Sequence, residues 1–191
     1  MEWPWCIAHL PSTRERILDF GSGNGFLSLA AAYRGHDVVS VDLEPKQFLF
    51  ETAEIDYRQG DFNELPFEPE SFGHIINCSS IEHVGLAGRY GSADDGDGDI
   101  RAMAKMADIL RAGGTMSLAI PVGRDGVYAP WHRVYGSERL PRLLEHFEIE
   151  TERHWAKVQP SVWETVSREY ALAEQGSASY YAVGLFVLRR P

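Results

Sequence analysis

The chain has 191 residues, 44% hydrophobic and 24% charged, the make-up of one globular domain with a substantial core rather than a fibrous or disordered chain. Its formal net charge of −10 repels phosphate backbones and anionic lipid, which argues against nucleic acid and membrane insertion as default partners. Cys6 and Cys78 form neither a disulfide framework nor a zinc pattern; the opening MEWPWCIAHLP is too broken by proline for a signal peptide, and no run is long enough to cross a membrane, so a cytoplasmic protein is expected.

RILDFG (16–21) is short, apolar and closed by glycine, as a buried strand is. GFLSLAAAYRG (25–35) is a helix ending at Gly35, and DVVSVD (37–42) a β-branched strand. IDYRQGD (55–61) and FGHIINCS (72–79) give the third and fourth strands. DIRAMAKMADILRAGG (99–114) reads as a helix capped by Asp99 and ended by Gly113–Gly114, and TMSLAIP (115–121) as the fifth strand. A helix begun by Ser137 is expected over 137–146. Strands follow over 147–155 and 180–190, with a helix over 161–175 between them. Strands alternating with helices give an α/β fold with a mostly parallel sheet, as one domain over residues 1–191.

The loop LDFGSGNGF joins the first strand to the first helix. Gly21, Gly23 and Gly25 permit a sharp turn that presents main-chain N–H groups to a ligand. A dinucleotide fingerprint needs a small residue where Phe26 stands, and a Walker loop needs Gly-Lys-Ser/Thr. Asp19, just before the loop, suits a cationic ligand instead. Asp42 ends the second strand nineteen residues past Gly23, where an acid accepts from ribose hydroxyls. Asp61 and Phe62 follow the third strand, where a carboxylate and a ring suit an adenine.

ILDFGSGNG, SVDLEP, GDFNELPF, SSIEHV and LRAGGTMSLAIP, in that order over about residues 16–121, resemble the successive motifs of class I S-adenosylmethionine-dependent methyltransferases of the type 11-like kind. The resemblance implies a Rossmann-like three-layer sandwich with a seven-stranded, mostly parallel sheet of order 3-2-1-4-5-7-6, strand 7 antiparallel. It implies that Asp19 and the glycine loop, Gly21, Ser22, Gly23 and Gly25, hold the amino-acid end of S-adenosylmethionine, Asp42 the ribose, and Asp61 with Phe62 the adenine, with Leu43 and Ser79 as further cofactor-binding residues. Two positions depart from the pattern: Gly73 stands where the fourth strand often carries Asp, and Ala112 where the loop before the fifth strand often carries Pro.

A sulfonium methyl is already electrophilic, so such an enzyme chiefly aligns the acceptor and excludes water; an alcohol acceptor also needs a base. His132 and, second, His83 are the candidates, with His83 also suited to a purely structural role. Glu82, Arg89, Tyr90, Arg133 and Tyr135 are candidates to bind the acceptor, on the loops after the fourth and fifth strands. GRYG with DDGDGD and WHRVYG resembles a methyltransferase-like branch linked with polysaccharide and glycan synthesis, which implies a sugar or other polyhydroxylated acceptor and O-methylation. N- or C-methylation of another metabolite and an inactive cofactor-binding scaffold are the alternatives. The acidic run Asp94, Asp95, Asp97 and Asp99 fails the calcium-loop spacing. It is foremost a helix start, then an acceptor contact, and last a Mg²⁺ site, so no metal ligands are assigned. A homodimer partner, residues 156–179, or the N-terminal segment with its two tryptophans are the means by which the short chain would close the pocket.

Overall fold

The computed structural model describes residues 1–48, 50, 55–88, 94–159 and 162–191. Strands β1 (Arg16–Phe20), β2 (Asp37–Asp42), β3 (Ile55–Gln59), β4 (Phe72–Cys78) and β5 (Leu110–Val122) lie parallel in the order 3-2-1-4-5. A two-stranded hairpin, β6 (Gly126–Tyr128) and β7 (His132–Val134), follows β5. The sheet is completed by β8 (Glu148–Gln159), β9 (Val162–Val166) and β10 (Ala182–Arg189). β10 inserts between β5 and β8, antiparallel to both, and β9 pairs antiparallel outside β8. The order expected for seven strands is therefore present, with β9 as an eighth strand at the edge.

Helices cover both faces, which is why the parallel strands read as unbroken apolar runs; Ile17 to Phe20 are all buried. On one face α1 (Glu2–Ala8) and α2 (Phe26–Tyr33) enclose Cys6, Leu10, Ile17, Leu27, Val38 and Ile76. On the other, α3 (Gly98–Ile109), α4 (Arg139–Leu143) and α5 (Arg168–Ala173) cover Leu18, Ile75, Leu118 and Phe186, with Met103 and Met106 pointing inward from α3. Each such fully buried side chain contributes about 1.5–3 kcal/mol over leaving it in water. The N-terminal segment is helical, Pro4 falling in the first turn where its missing N–H costs nothing. Trp5 Nε1 donates to the Phe186 carbonyl at 3.2 Å, so α1 is tied to the sheet rather than lying across the cavity.

Three expected elements change. The helix at 99–114 stops at Ile109 and β5 begins at Leu110, because the two glycines pair with the C-terminal strand: Gly113 N donates to the Arg190 carbonyl (3.0 Å) and Arg190 N to the Gly114 carbonyl (2.9 Å). The helix expected over 161–175 is strand β9 and then the short α5. The β-branched alternation of VWETV takes the free edge of β8, and Ser167 starts α5 by accepting the Tyr170 N–H at 3.2 Å. The helix expected from Ser137 is only Arg139–Leu143, and its start is capped from a distance. The Asp125 carboxylate accepts the N–H groups of Gly136 (2.7 Å), Glu138 (2.9 Å) and Arg139 (3.1 Å). At Gly73 a Cβ would lie 2.1 Å from Glu15 Oε2, and Arg111 Nη2 donates to Glu15 Oε1 at 2.6 Å. The space of the missing strand acid is thus filled by a carboxylate from the segment before β1.

Candidate active site

A cavity of about 350 Å³ opens at the carboxyl ends of β1, β2, β3 and β4. That is where an open parallel sheet leaves a crevice between diverging connections. Its floor is the turn after β1. Gly21 and Gly25 have φ of +66° and +78°. A Cβ on Gly21 would lie 2.3 Å from Ser80 Oγ, and one on Gly25 2.5 Å from the Phe48 ring, so a side chain at either place adds a clash to a strained backbone. Ser80 Oγ also donates toward the carbonyls of Gly21 (3.2 Å) and Cys78 (3.1 Å), stitching this turn to the end of β4.

Asp42 stands on the wall with its carboxylate aimed by two amides. Gly23 N donates to Oδ2 at 2.8 Å and Glu44 N to Oδ1 at 3.0 Å, leaving further lone pairs for a diol. Asp61 is held likewise by Asn63 N at 2.9 Å. Phe62, beside it on the wall, meets the Phe20 ring edge-on at 5.0 Å. Ser79 keeps a left-handed backbone, φ +52°, rare for a serine. Its Oγ and that of Ser22 are buried without a hydrogen-bond partner. Two orphaned hydroxyls, a turn rich in main-chain donors and two oriented carboxylates fit a ligand with a zwitterionic end, a ribose and an amino-purine.

Of the residues expected to hold a cofactor, Gly21, Gly23, Asp42, Leu43, Asp61, Phe62 and Ser79 line the cavity; Ser22 and Gly25 belong to the same turn, and Asp19 lies in the strand before it. Asp19 is buried beneath the turn, accepting from Ser28 Oγ at 2.5 Å, and burial pushes its carboxyl up to about 6. Glu44 and Pro45, from SVDLEP, also line the wall, as do Gln47 and Cys78, which were not singled out in the sequence. A hydrogen bond to Cys6, then burial, pushes the Cys78 thiol up, so it is a neutral group.

From the segment after β4, His83, Val84 and Gly85 line the cavity. His83 Nδ1 lies 2.5 Å from the Trp131 carbonyl; a carbonyl only accepts, so Nδ1 carries the hydrogen and Nε2 the lone pair in the neutral ring. His83 Nε2 is 3.8 Å from Oε1 of the buried Glu82. His132 is elsewhere: its ring is buried, with Nε2 3.1 Å from the Ser177 carbonyl and the ring edge-on to Tyr181 at 4.9 Å, and it does not line the cavity.

Arg133 and Tyr135, expected to meet the acceptor, are interior struts. The Arg133 guanidinium donates to the carbonyls of Val84, of Gly85 (3.4 Å) and of Asp95 (3.2 Å). Tyr135 Oη donates to Asp99 Oδ2 at 3.0 Å, and burial, then the charge of Asp99, pushes its phenol well above the ordinary value. Three of the four acids of the run are paired with arginines: Asp95 with Arg101, Asp97 with Arg139 and Arg142, and Asp99 with Arg139. That removes the argument for Mg²⁺ there; among the described residues no group of three or more His, Cys, Asp or Glu could hold a metal ion. Arg89 and Tyr90 lie outside the described residues. Among the described residues no helix is long and apolar enough to cross a membrane.

Residues 51–176 match the family described as "Caenorhabditis protein of unknown function, DUF268". The chain is 28% identical over 181 residues to the ubiquinone biosynthesis O-methyltransferase of Azorhizobium caulinodans, covering 88% of this chain and 70% of that protein. It is 32% identical over 137 residues to the protein of the same description from Xanthomonas campestris pv. campestris, where it spans about half the relative's length, 52%, and 68% of its own. Among solved structures it resembles a Mesorhizobium loti S-adenosylmethionine dependent methyltransferase, with TM-score 0.65 and 18% identity over 99% of this chain and 97% of that one. It also resembles the Burkholderia thailandensis 1,6-didemethyltoxoflavin-N1-methyltransferase solved with S-adenosylhomocysteine, with TM-score 0.63 and 17% identity over 99% and 76%. At those identities the structural likeness speaks to the fold.

Proposed function

Because this chain belongs to the family described as "Caenorhabditis protein of unknown function, DUF268" and is a class I S-adenosylmethionine-dependent methyltransferase, we propose that it methylates a hydroxyl group of a small acceptor, with His83 as the base. When bound, S-adenosylmethionine supplies an electrophilic methyl group. Asp42 would hold its ribose, Asp61 and Phe62 its adenine, and Ser22, Ser79 and the glycine turn its amino-acid end, with Asp19 behind them. The chain's own task is then to seat the acceptor hydroxyl and take its proton.

The observation that carries this reading is the 2.5 Å contact of His83 Nδ1 with the Trp131 carbonyl, which favours the hydrogen on Nδ1, in a residue that lines the cavity. With Nδ1 turned to the Trp131 carbonyl, the Nε2 lone pair is the atom by which a ring at the cavity wall would take a hydroxyl proton. Glu82, close to Nε2, balances the imidazolium once the proton has moved. A nitrogen acceptor with its own lone pair needs no such base, which is why the histidine favours O-methylation; the descriptions of the two curated relatives point the same way. A sugar or other polyhydroxylated molecule remains the preferred acceptor class, with phenols the competing one.

Methyl transfer is measured against a panel of sugars, nucleotide sugars and phenols. His83→Ala is expected to lower turnover by about 10²–10⁴-fold while S-adenosylhomocysteine binds as before. Undiminished turnover of His83→Ala on the true acceptor removes the base assignment. His132→Ala, whose ring is seated against the 177–181 segment, is expected to cost stability rather than proton transfer.

A further inference from the structure

We propose that Lys105, on α3, is a positioning residue for the purine end of the cavity, holding the Asp61–Phe62 turn in the shape that distinguishes adenine from a purine without its exocyclic amino group. This rests on reading the cavity as an S-adenosylmethionine site. The Lys105 ammonium donates to three main-chain carbonyls, those of Phe62 (2.7 Å), Asn63 (2.9 Å) and Leu65 (2.6 Å). That spends all three of its donors. The turn itself is built on the Asp61 carbonyl, which accepts from Glu64 N (2.9 Å) and Leu65 N (3.0 Å). The turn therefore aims its later carbonyls at one point, as the end of a helix does, and such carbonyls call for a cation.

The same ammonium lies 5.1 Å from the centre of the Phe62 ring and 5.7 Å from that of Phe67. Phe62 is thus held by Phe20 on one side and by the Lys105–Phe67 pair on the other. A second tie comes from the start of the same helix, where Asn63 Nδ2 donates to the Gly98 carbonyl at 3.3 Å. Asp61 and Phe62 are cavity wall, whereas Lys105 is not. Its effect on a ligand runs through the turn. A carboxylate set to accept from an adenine amino group discriminates only while its position is fixed, because the penalty for a missing amino group is an acceptor left unpaired.

Calorimetry on the full chain tests this with two probes, S-adenosylhomocysteine and S-inosylhomocysteine. The wild-type protein is expected to prefer the first by about tenfold or more. Lys105→Met is expected to bind S-adenosylhomocysteine at least about tenfold more weakly, with the preference falling toward one. Leu144→Ala, which destabilises the core beside α4, is the control: its melting temperature falls and its preference stays. A Lys105→Met protein that keeps the preference overturns the proposal, whether or not its overall affinity drops. If that variant does not fold, Lys105→Arg is judged by the same two outcomes, since a planar guanidinium cannot converge on three carbonyls. A wild-type protein that binds neither probe overturns the reading of the cavity itself, and the proposal with it.

Discussion

Replacing Asp99 by alanine removes the acceptor on which four groups depend. Asp99 is fully buried and accepts from Tyr135 Oη at 3.0 Å, from Arg139 Nε at 2.9 Å and from Arg139 Nη2 at 2.5 Å, with Arg133 Nε 3.9 Å away. Arg133 is itself only 2% exposed, so without Asp99 its charge stays buried among carbonyls. Breaking a buried pair from one side costs about 3–5 kcal/mol. Stranding the Tyr135 hydroxyl costs about 1–3 kcal/mol, and the two effects share one carboxylate, so a combined loss of about 4–6 kcal/mol is expected. That is a large part of the 5–15 kcal/mol that holds a typical domain, and in a chain of this size it lowers the melting temperature by about 8–24 °C. Urea unfolding followed by tryptophan fluorescence measures it, with Tyr135→Phe, which keeps the ion pairs, expected to lose only about 1 kcal/mol. An Asp99→Ala protein within about 1 kcal/mol of wild type would refute the claim that the acidic run is built for structure.

Asp42→Ala is expected to weaken S-adenosylhomocysteine by about ten- to a hundredfold in calorimetry, since it removes both the diol acceptor and the anchor of Gly23; an unchanged affinity argues against the ribose assignment. His74, fully buried between Thr115 and Ser117, is pulled by burial down to about 3 from 6.5. The unfolded chain therefore takes up a proton first as pH falls, and stability drops below pH 6.5, by about 3 kcal/mol at pH 4 from this group alone. His74→Gln is expected to flatten that acid limb in urea titrations. Asp19 acts with the opposite sign: raised to about 6, it keeps its proton longer in the folded chain, so its ionisation costs stability as pH rises from 4 to 6, and Asp19→Asn should remove that slope. Ser79→Gly relieves a left-handed serine and should raise stability by about 1 kcal/mol while weakening S-adenosylhomocysteine; a variant that gains neither stability nor loses affinity contradicts the role given to Ser79.

The glycine turn and the cavity wall were legible because they rest on local signals. A glycine with positive φ, an acid at a strand end and an aromatic after it are each set by neighbours in the chain, and five such signals in order left little freedom. The segments after β4 and β5 were not legible in the same way, because their acids and arginines find their partners far away. Nothing near Asp99 announces that Arg139, forty residues on, will claim it, or that Arg133 will turn inward to the carbonyls of Val84 and Gly85. The same distance hid β9: SVWETVSREYALAEQ carries enough helix formers to read as one helix, and only the unpaired edge of β8 makes a strand of its first part. Arginine and histidine in a pocket-facing loop are ambiguous between strut and ligand contact until their burial is known.

The carboxylate beside Gly73 bears on how this chain should be engineered. Substituting residues toward a family's commonest choice is a standard route to stability, and at this position it would write aspartate. Here that substitution would drive a second negative charge into space already held by Glu15, within 3.2 Å of Arg111 Nε. Gly73→Asp alone should therefore melt earlier than wild type, and combining it with Glu15→Ser should restore part of the loss. A carboxylate already occupies the space beside Gly73, delivered from another stretch of chain, and only the two positions changed together are a conservative edit.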